Sequence, residues 1–212
     1  MTPLPSPLLV FTDRHQARHP LEDVAEAVAR AGGRWLLLRD KDLEDGARRA
    51  LAGRLAAIAR THGMHLSVSR DPGLAAEHGA SLHLPSRQLE SPATIKAARL
   101  VLPRGALIGV SAHSFGDVER AAAAGADYVT LSPVFATASK PGYGPALGVA
   151  ALTRAADAGV AVVALAGITA ATARACVDAG AAGVAVMGGI MRSEDPGGST
   201  AALLAALAPR PA

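Results

Sequence analysis

Three observations predict an α/β fold, a single (β/α)8 TIM barrel. Short apolar runs of β character alternate with longer Ala-rich helical segments from end to end, the pattern of parallel strands joined by crossover helices. The strand–helix units number eight, the count at which a parallel barrel closes. A phrase in which a helix runs into Gly-Ala and then a strand recurs at 124–128 (AGADY) and 179–183 (AGAAG). Its glycine supplies the left-handed residue that ends a helix, and its small residues let the chain turn tightly into the next strand.

The elements follow in order. Strands are predicted at residues 8–12, 35–39, 66–69, 82–84, 107–111, 128–131, 161–166 and 183–187. Helices are predicted at 21–31, 43–62, 91–101, 114–124, 149–158 and 169–179, with only about two turns in the DPGLAAEHG stretch after the third strand. Pro and Gly cluster at the termini, at 140–147 and at 195–198, each time between elements and never as a domain linker, so residues 1–212 read as one barrel domain. The KPGYGPALG stretch (140–148) is a long loop after the sixth strand, on the side where barrels carry their active-site lids.

Half of the residues are apolar but only 3% are aromatic, so the core is expected to consist mainly of Ala, Val, Leu and Ile. The net charge of +3 is scattered; no Lys/Arg block and no aromatic–basic interleaving points to nucleic acid. Cys176 is the single cysteine and reads as a small core residue of a helix. With no disulfide to form, and no basic-then-apolar leader at the start, a cytoplasmic location is expected. No uninterrupted apolar stretch is long enough to span a membrane.

In such a barrel the chemistry sits at strand C-termini and in the loops beyond them. Those positions hold Arg39 and Lys41, Arg70 and Asp71, His83 and Arg87, Ser111 and His113, then Thr137, Ser139 and Lys140. Gly167, Met187, Gly188 and Gly189 end the last two strands. Glycine lets backbone N–H groups approach an oxyanion, and these two loops often form a phosphate site in barrels. Arg39, Lys41 and Lys140 are cations suited to a phosphate or diphosphate. His83 and His113 are candidate proton-transfer groups, His113 at a strand end and His83 inside the apolar SLHLP run, where a core role competes.

Several segments resemble the thiamin phosphate synthase/TenI family. GVSAHS is similar to that family's GxSxH/T strand end, and GADYVTLSPVFATASK to its GADYxxxGPxFxTxTK. VVALAGI, GVAVMGGI and the earlier WLLLRDK match further family segments in the expected order. The resemblance implies a thiamine-biosynthesis transferase that joins a pyrimidine methyl diphosphate to a thiazole phosphate. It implies that Arg39, Lys41 and Lys140 hold the leaving diphosphate, with Ser111 as a hydroxyl donor. Thr137 and Ser139 contact the thiazole phosphate, which Gly167 and the Met187–Gly188 backbone cradle, Gly189 adjoining. The expected partners are these small-molecule phosphates, with neither nucleic acid nor membrane; a homo-oligomer stays open.

The departures bear on the cofactor. The resemblance implies Mg²⁺, held by Asp residues after the third and fourth strands, yet Ser69-Arg70 and Gln88 stand in those places. Asp71, one place on, is the remaining metal-ligand candidate, given a shifted loop. Arg70 and Arg87 could instead supply positive charge directly. HLPS is similar to the TenI branch, whose activity is thiazole tautomerisation, but Pro133 occupies the place where that branch uses a histidine in its sixth-strand motif. Two alternatives to synthase therefore stay open: a tautomerase working through His113 or His83, and a non-catalytic binder of thiamin phosphates.

Overall fold

The computed structural model describes residues 3–89, 91, 93–137 and 145–209. Eight parallel strands close into a barrel in sequence order, β1 beside β2 through to β8, which pairs back onto β1. They are β1 (Leu8–Phe11), β2 (Trp35–Leu38), β3 (His65–Ser69), β4 (Ser81–Leu84), β5 (Ile108–Ala112), β6 (Tyr128–Leu131), β7 (Ala161–Leu165) and β8 (Gly183–Val186). Each lies within one or two residues of its predicted bounds. The helices are α1 (Leu21–Arg30), α2 (Asp45–His62), α3 (Pro72–Glu77), α4 (Ala93–Val101), α5 (Phe115–Ala123), α6 (Ala150–Ala156), α7 (Ala170–Asp178), α8 (Gly188–Met191) and α9 (Pro196–Leu207).

The 195–198 stretch, expected to lie between elements, instead opens α9. Asp195 caps it by accepting from the Gly198 N–H, and Pro196 fills the first helical position, where its missing donor costs nothing. Gly125 and Gly180 are both left-handed, as the repeated phrase predicts. Cys176 is buried, and burial pushes its thiol up to about 11, so it stays an unreactive core residue.

Strand residues alternate between two apolar layers, because successive side chains leave opposite faces of a strand. Leu8, Val10, Leu36 and Leu38 face the helices in the larger core. Leu9, Phe11, Trp35, Leu37 and Tyr128 turn into the barrel. Ala, Val, Leu and Ile do dominate the larger core. Phe11, Trp35 and Tyr128, three of the scarce aromatics, lie inside the barrel. Trp35 and Tyr128 meet edge to face with ring centroids 4.9 Å apart. Gly109 makes the room: a Cβ there would lie 2.0 Å from Tyr128 Cζ.

Several inward residues of β3–β6 are polar, Ser67, Ser81, His83, Ser111, Tyr128 and Thr130 among them, and these are hydrogen-bonded, as burial demands. Trp35 Nε1 donates to Ser67 Oγ at 3.0 Å, and the Ser67 hydroxyl lies near enough to the Tyr128 hydroxyl to interact with it. Tyr128 Oη lies 3.1 Å from His83 Nδ1, and His83 Nε2 lies 3.0 Å from Ser111 Oγ. A file of hydrogen bonds thus runs along the barrel axis up to the strand C-termini.

Candidate active site

At the C-terminal mouth of the barrel the loops enclose a cavity of about 670 Å³. Its β1–β2 side is built around one buried carboxylate. Asp40 accepts from the Thr12 hydroxyl at 2.6 Å and from the Arg14 N–H at 2.7 Å, tying the two loops together. Its neighbours in this stretch, Arg39 and Lys41, line the cavity. Arg39 is braced by Asp13 at 3.2 Å and reaches Met187 Sδ across the mouth at 3.8 Å. Lys41 is held below its usual range, first by burial and then by repulsion from Arg70, Arg39 and Arg87.

The β3 loop turns on Arg70, a non-glycine residue at φ 71°. Such a left-handed conformation costs about 1–2 kcal/mol for an L-residue. Its amide still extends the ladder to β4, donating to His83 O at 2.9 Å, and its side chain lines the cavity. Asp71 does not. Its carboxylate caps α3 by accepting from Leu74 N at 2.9 Å, and it pairs with Arg48 of α2 at 3.4 Å. The possible metal-ligand role for Asp71 is therefore corrected: the side chain is a helix cap and not part of the cavity wall. After β4, a short 3-10 turn (Ser86–Gln88) brings Arg87 to the rim, while Gln88 is not among the lining residues.

His83 forms part of the floor, but burial holds its imidazole down to about 3, so it is neutral at ordinary pH. With hydrogen bonds engaging both ring nitrogens, it is a satisfied core histidine and not a charged phosphate ligand or free acid–base group. Ser111 stands between His83 and the cavity. His113 reaches the wall with its N–H fixed by Asp117 at 2.8 Å and its Nδ1 3.1 Å from Ser132 O.

The β6–β8 side is different in kind. Thr137 lines the cavity; Ser139 and Lys140 lie outside the described residues, as does part of the predicted 140–148 loop. Strand pairing continues past β6 and β7, with Val134 and Phe135 donating to Leu165 O and Ala166 O at 3.0 and 3.1 Å. Ala166 and Gly167 are both left-handed, at φ 79° and 67°. A Cβ on Gly167 would sit 2.5 Å from Ala136 O, so only glycine lets these two loops pack this closely. Met187, Gly188 and Gly189 complete the wall at the start of α8.

The structure adds Arg192, which sequence reasoning missed. It lies four residues beyond Gly188, one helical turn on, and its guanidinium covers the face of Gly188 where a Cβ would point. It also hydrogen-bonds Gln16 of the β1 loop. The i, i+4 spacing from the glycine was the available signal.

A hard divalent cation prefers anionic oxygen ligands. Among the described residues the cavity is lined by five cationic side chains, Arg39, Lys41, Arg70, Arg87 and Arg192, and by no carboxylate. No group of three or more His, Cys, Asp or Glu side chains converges anywhere among the described residues. The donor set does not fit Mg²⁺ held by protein ligands. What it suits is an anion on each side: charged side chains facing one, glycine backbone and hydroxyls facing the other.

Among the described residues no helix is long and apolar enough to cross a membrane. A sequence model of the family described as thiamine monophosphate synthase matches residues 8–190. A putative thiamine-phosphate synthase of Geobacter sulfurreducens is 38% identical over 208 residues, covering 96% of this chain and 95% of that protein. The thiamine-phosphate synthase of Salinispora tropica is 37% identical over 210 residues, 94% of this chain and 96% of its own length. A solved structure of thiamine phosphate pyrophosphorylase from Pyrococcus furiosus shares the fold, with a TM-score of 0.82 at 23% identity over 94% of each chain.

Proposed function

The chain belongs to the thiamine monophosphate synthase family, and from that membership we propose that it joins hydroxymethylpyrimidine diphosphate to thiazole phosphate in the cytoplasm, releasing diphosphate. The observation that carries the reading is the division of one cavity into a cationic side and a glycine-lined side. Two phosphate-bearing substrates need two anion sites, placed so that the reacting atoms meet between them.

Bond changes set the task. The thiazole nitrogen forms a bond to the pyrimidine methylene carbon. The carbon–oxygen bond to diphosphate breaks, and its electron pair leaves with that group. Negative charge grows on the departing oxygens, and fixed cations beside them stabilise the transition state more than the ground state. In this reading Arg39 and Lys41 take this role, with Ser111 as a hydroxyl donor. Arg39 is the better fixed, because Asp13 braces its guanidinium. Thr137, Gly167 and the backbone at Met187–Gly188 take the thiazole phosphate, with Arg192 adding positive charge beside Gly188. Ser139 and Lys140 keep the roles that the family motif assigns to them.

The purified protein, given both substrates and Mg²⁺, is expected to release diphosphate and form thiamine phosphate. No product in an assay where a control synthase works would overturn the reading and favour a non-catalytic binder. A second reading, thiazole tautomerase, rests on His113 at the cavity wall. It requires His113→Asn to abolish proton exchange on the thiazole carboxylate phosphate; an undiminished rate in that variant removes it.

A further inference from the structure

We propose that Arg70 and Arg87 take the electrostatic place of a divalent cation at the β3–β4 rim, so that the chain binds a diphosphate group directly and without metal. The proposal rests on the synthase reading only for which substrate carries that group.

Among the described residues, the carboxylates of Asp13, Asp40 and Asp71 in the neighbouring loops are engaged elsewhere. Asp40 is buried on Thr12 and Arg14. Asp71 caps α3 and faces Arg48. Asp13 accepts from Gln16 and from Arg39. None of them lines the cavity, so a metal ion there would lack protein oxyanions and meet guanidinium groups in their place.

Arg70 and Arg87, by contrast, have no ion-pair partner among the described residues, although both line the cavity. They lie within electrostatic reach of each other and of Lys41, and Arg70 is also within reach of Arg39 and Arg48. Like charges gathered around one concave wall repel until a polyanion enters. Two guanidinium groups carry the same formal charge as one divalent cation, and their forked donors can each engage two phosphate oxygens. The left-handed turn at Arg70 accounts for the exchange: it delivers a cation to the cavity while the following carboxylate turns back to cap α3.

The test is calorimetric titration of the full chain with inorganic diphosphate, once in EDTA and once in excess MgCl₂. The two dissociation constants are expected to agree within about threefold, and Arg70→Ala or Arg87→Ala to weaken binding about tenfold each, a loss of about 1.4 kcal/mol. Arg70→Gly serves as a second variant, because glycine accepts the left-handed backbone and keeps the fold while removing the charge. Arg87→Lys should recover part of the affinity, since it keeps the charge and loses the fork. Binding that appears only with Mg²⁺, binding under neither condition, or unchanged affinity in folded Arg70→Gly and Arg87→Ala would each overturn the proposal. Substrate turnover separates the two readings. Diphosphate binding in EDTA without coupling of the substrates sinks the synthase and leaves the clamp standing; coupling together with strictly Mg²⁺-dependent diphosphate binding does the reverse.

Discussion

The two halves of the barrel mouth differ in the physical means they offer for holding an anion. The β1–β4 half uses long charged side chains, of which Arg39 is braced by Asp13 while Arg70 and Arg87 have no ion-pair partner among the described residues. The β5–β8 half, apart from Arg192, relies on short side chains, left-handed backbone and close loop packing. Side-chain charge can be tuned or exchanged at modest cost to the fold. Backbone geometry cannot, because Gly167 is where two loops touch. The contrast teaches why the departures from the family pattern fall on the charged half: that half tolerates substitution.

The sharpest way to break this contrast is to strip the charged half. Arg39→Ala combined with Lys41→Ala is expected to lower kcat for diphosphate release by about a thousandfold, with thermal unfolding little changed. A marked loss of stability would show that this half is structural after all. On the other half, Gly167→Ala must move Ala136 or Phe135, since the added Cβ would lie 2.5 and 2.6 Å from them. We expect about a 100-fold loss in kcat/KM for thiazole phosphate, with diphosphate affinity retained. Gly188→Ala is the control: its Cβ meets only the flexible end of Arg192, so the loss should stay within about tenfold. Equal effects of the two glycine changes would erase the distinction between backbone and side-chain contact.

His83 sharpens the comparison through pH. The unfolded chain takes up a proton near 6.5, whereas the folded barrel refuses it until about 3. The unfolded state therefore binds more protons within that window. Stability is complete above 6.5 and falls as the pH drops through the window, by up to about 1.4 kcal/mol per unit, levelling below about 3. Urea midpoints between pH about 7 and about 4 measure the slope, which His83→Gln should flatten. The smallest effect belongs to Ala166→Gly. It removes a left-handed Cβ and should stabilise the fold by up to about 1 kcal/mol, less the greater freedom of glycine in the unfolded chain.

Most of the fold was legible because the strands are short runs rich in Val, Leu and Ile set between longer Ala-rich helices, a signal local to each. α9 escaped because its Pro-Gly-Gly start looks like a linker, and only the Asp195 cap shows that it opens a helix. In the site, strand-end positions alone brought Arg39, Lys41, Ser111, His113 and the glycines to one cavity. Asp71 was misplaced because a carboxylate serves equally as a metal ligand and as a helix cap; the proline after it was the sign of the cap. The partnership of His83 with Tyr128 spans 45 residues and depends on the register of β4 through β6, which no local pattern carries.

The file of hydrogen bonds along the barrel axis has a direction. An indole N–H can only donate, so Ser67 accepts from Trp35 and sends its own proton toward Tyr128. Tyr128 then donates to His83 Nδ1, which leaves the single proton of the neutral imidazole on Nε2, facing Ser111. Ser111 accepts there, and its hydroxyl proton is left to point into the mouth. A tryptophan at the far end of the barrel thereby sets the orientation of the serine at the near end, which in the proposed site is left to act as a donor.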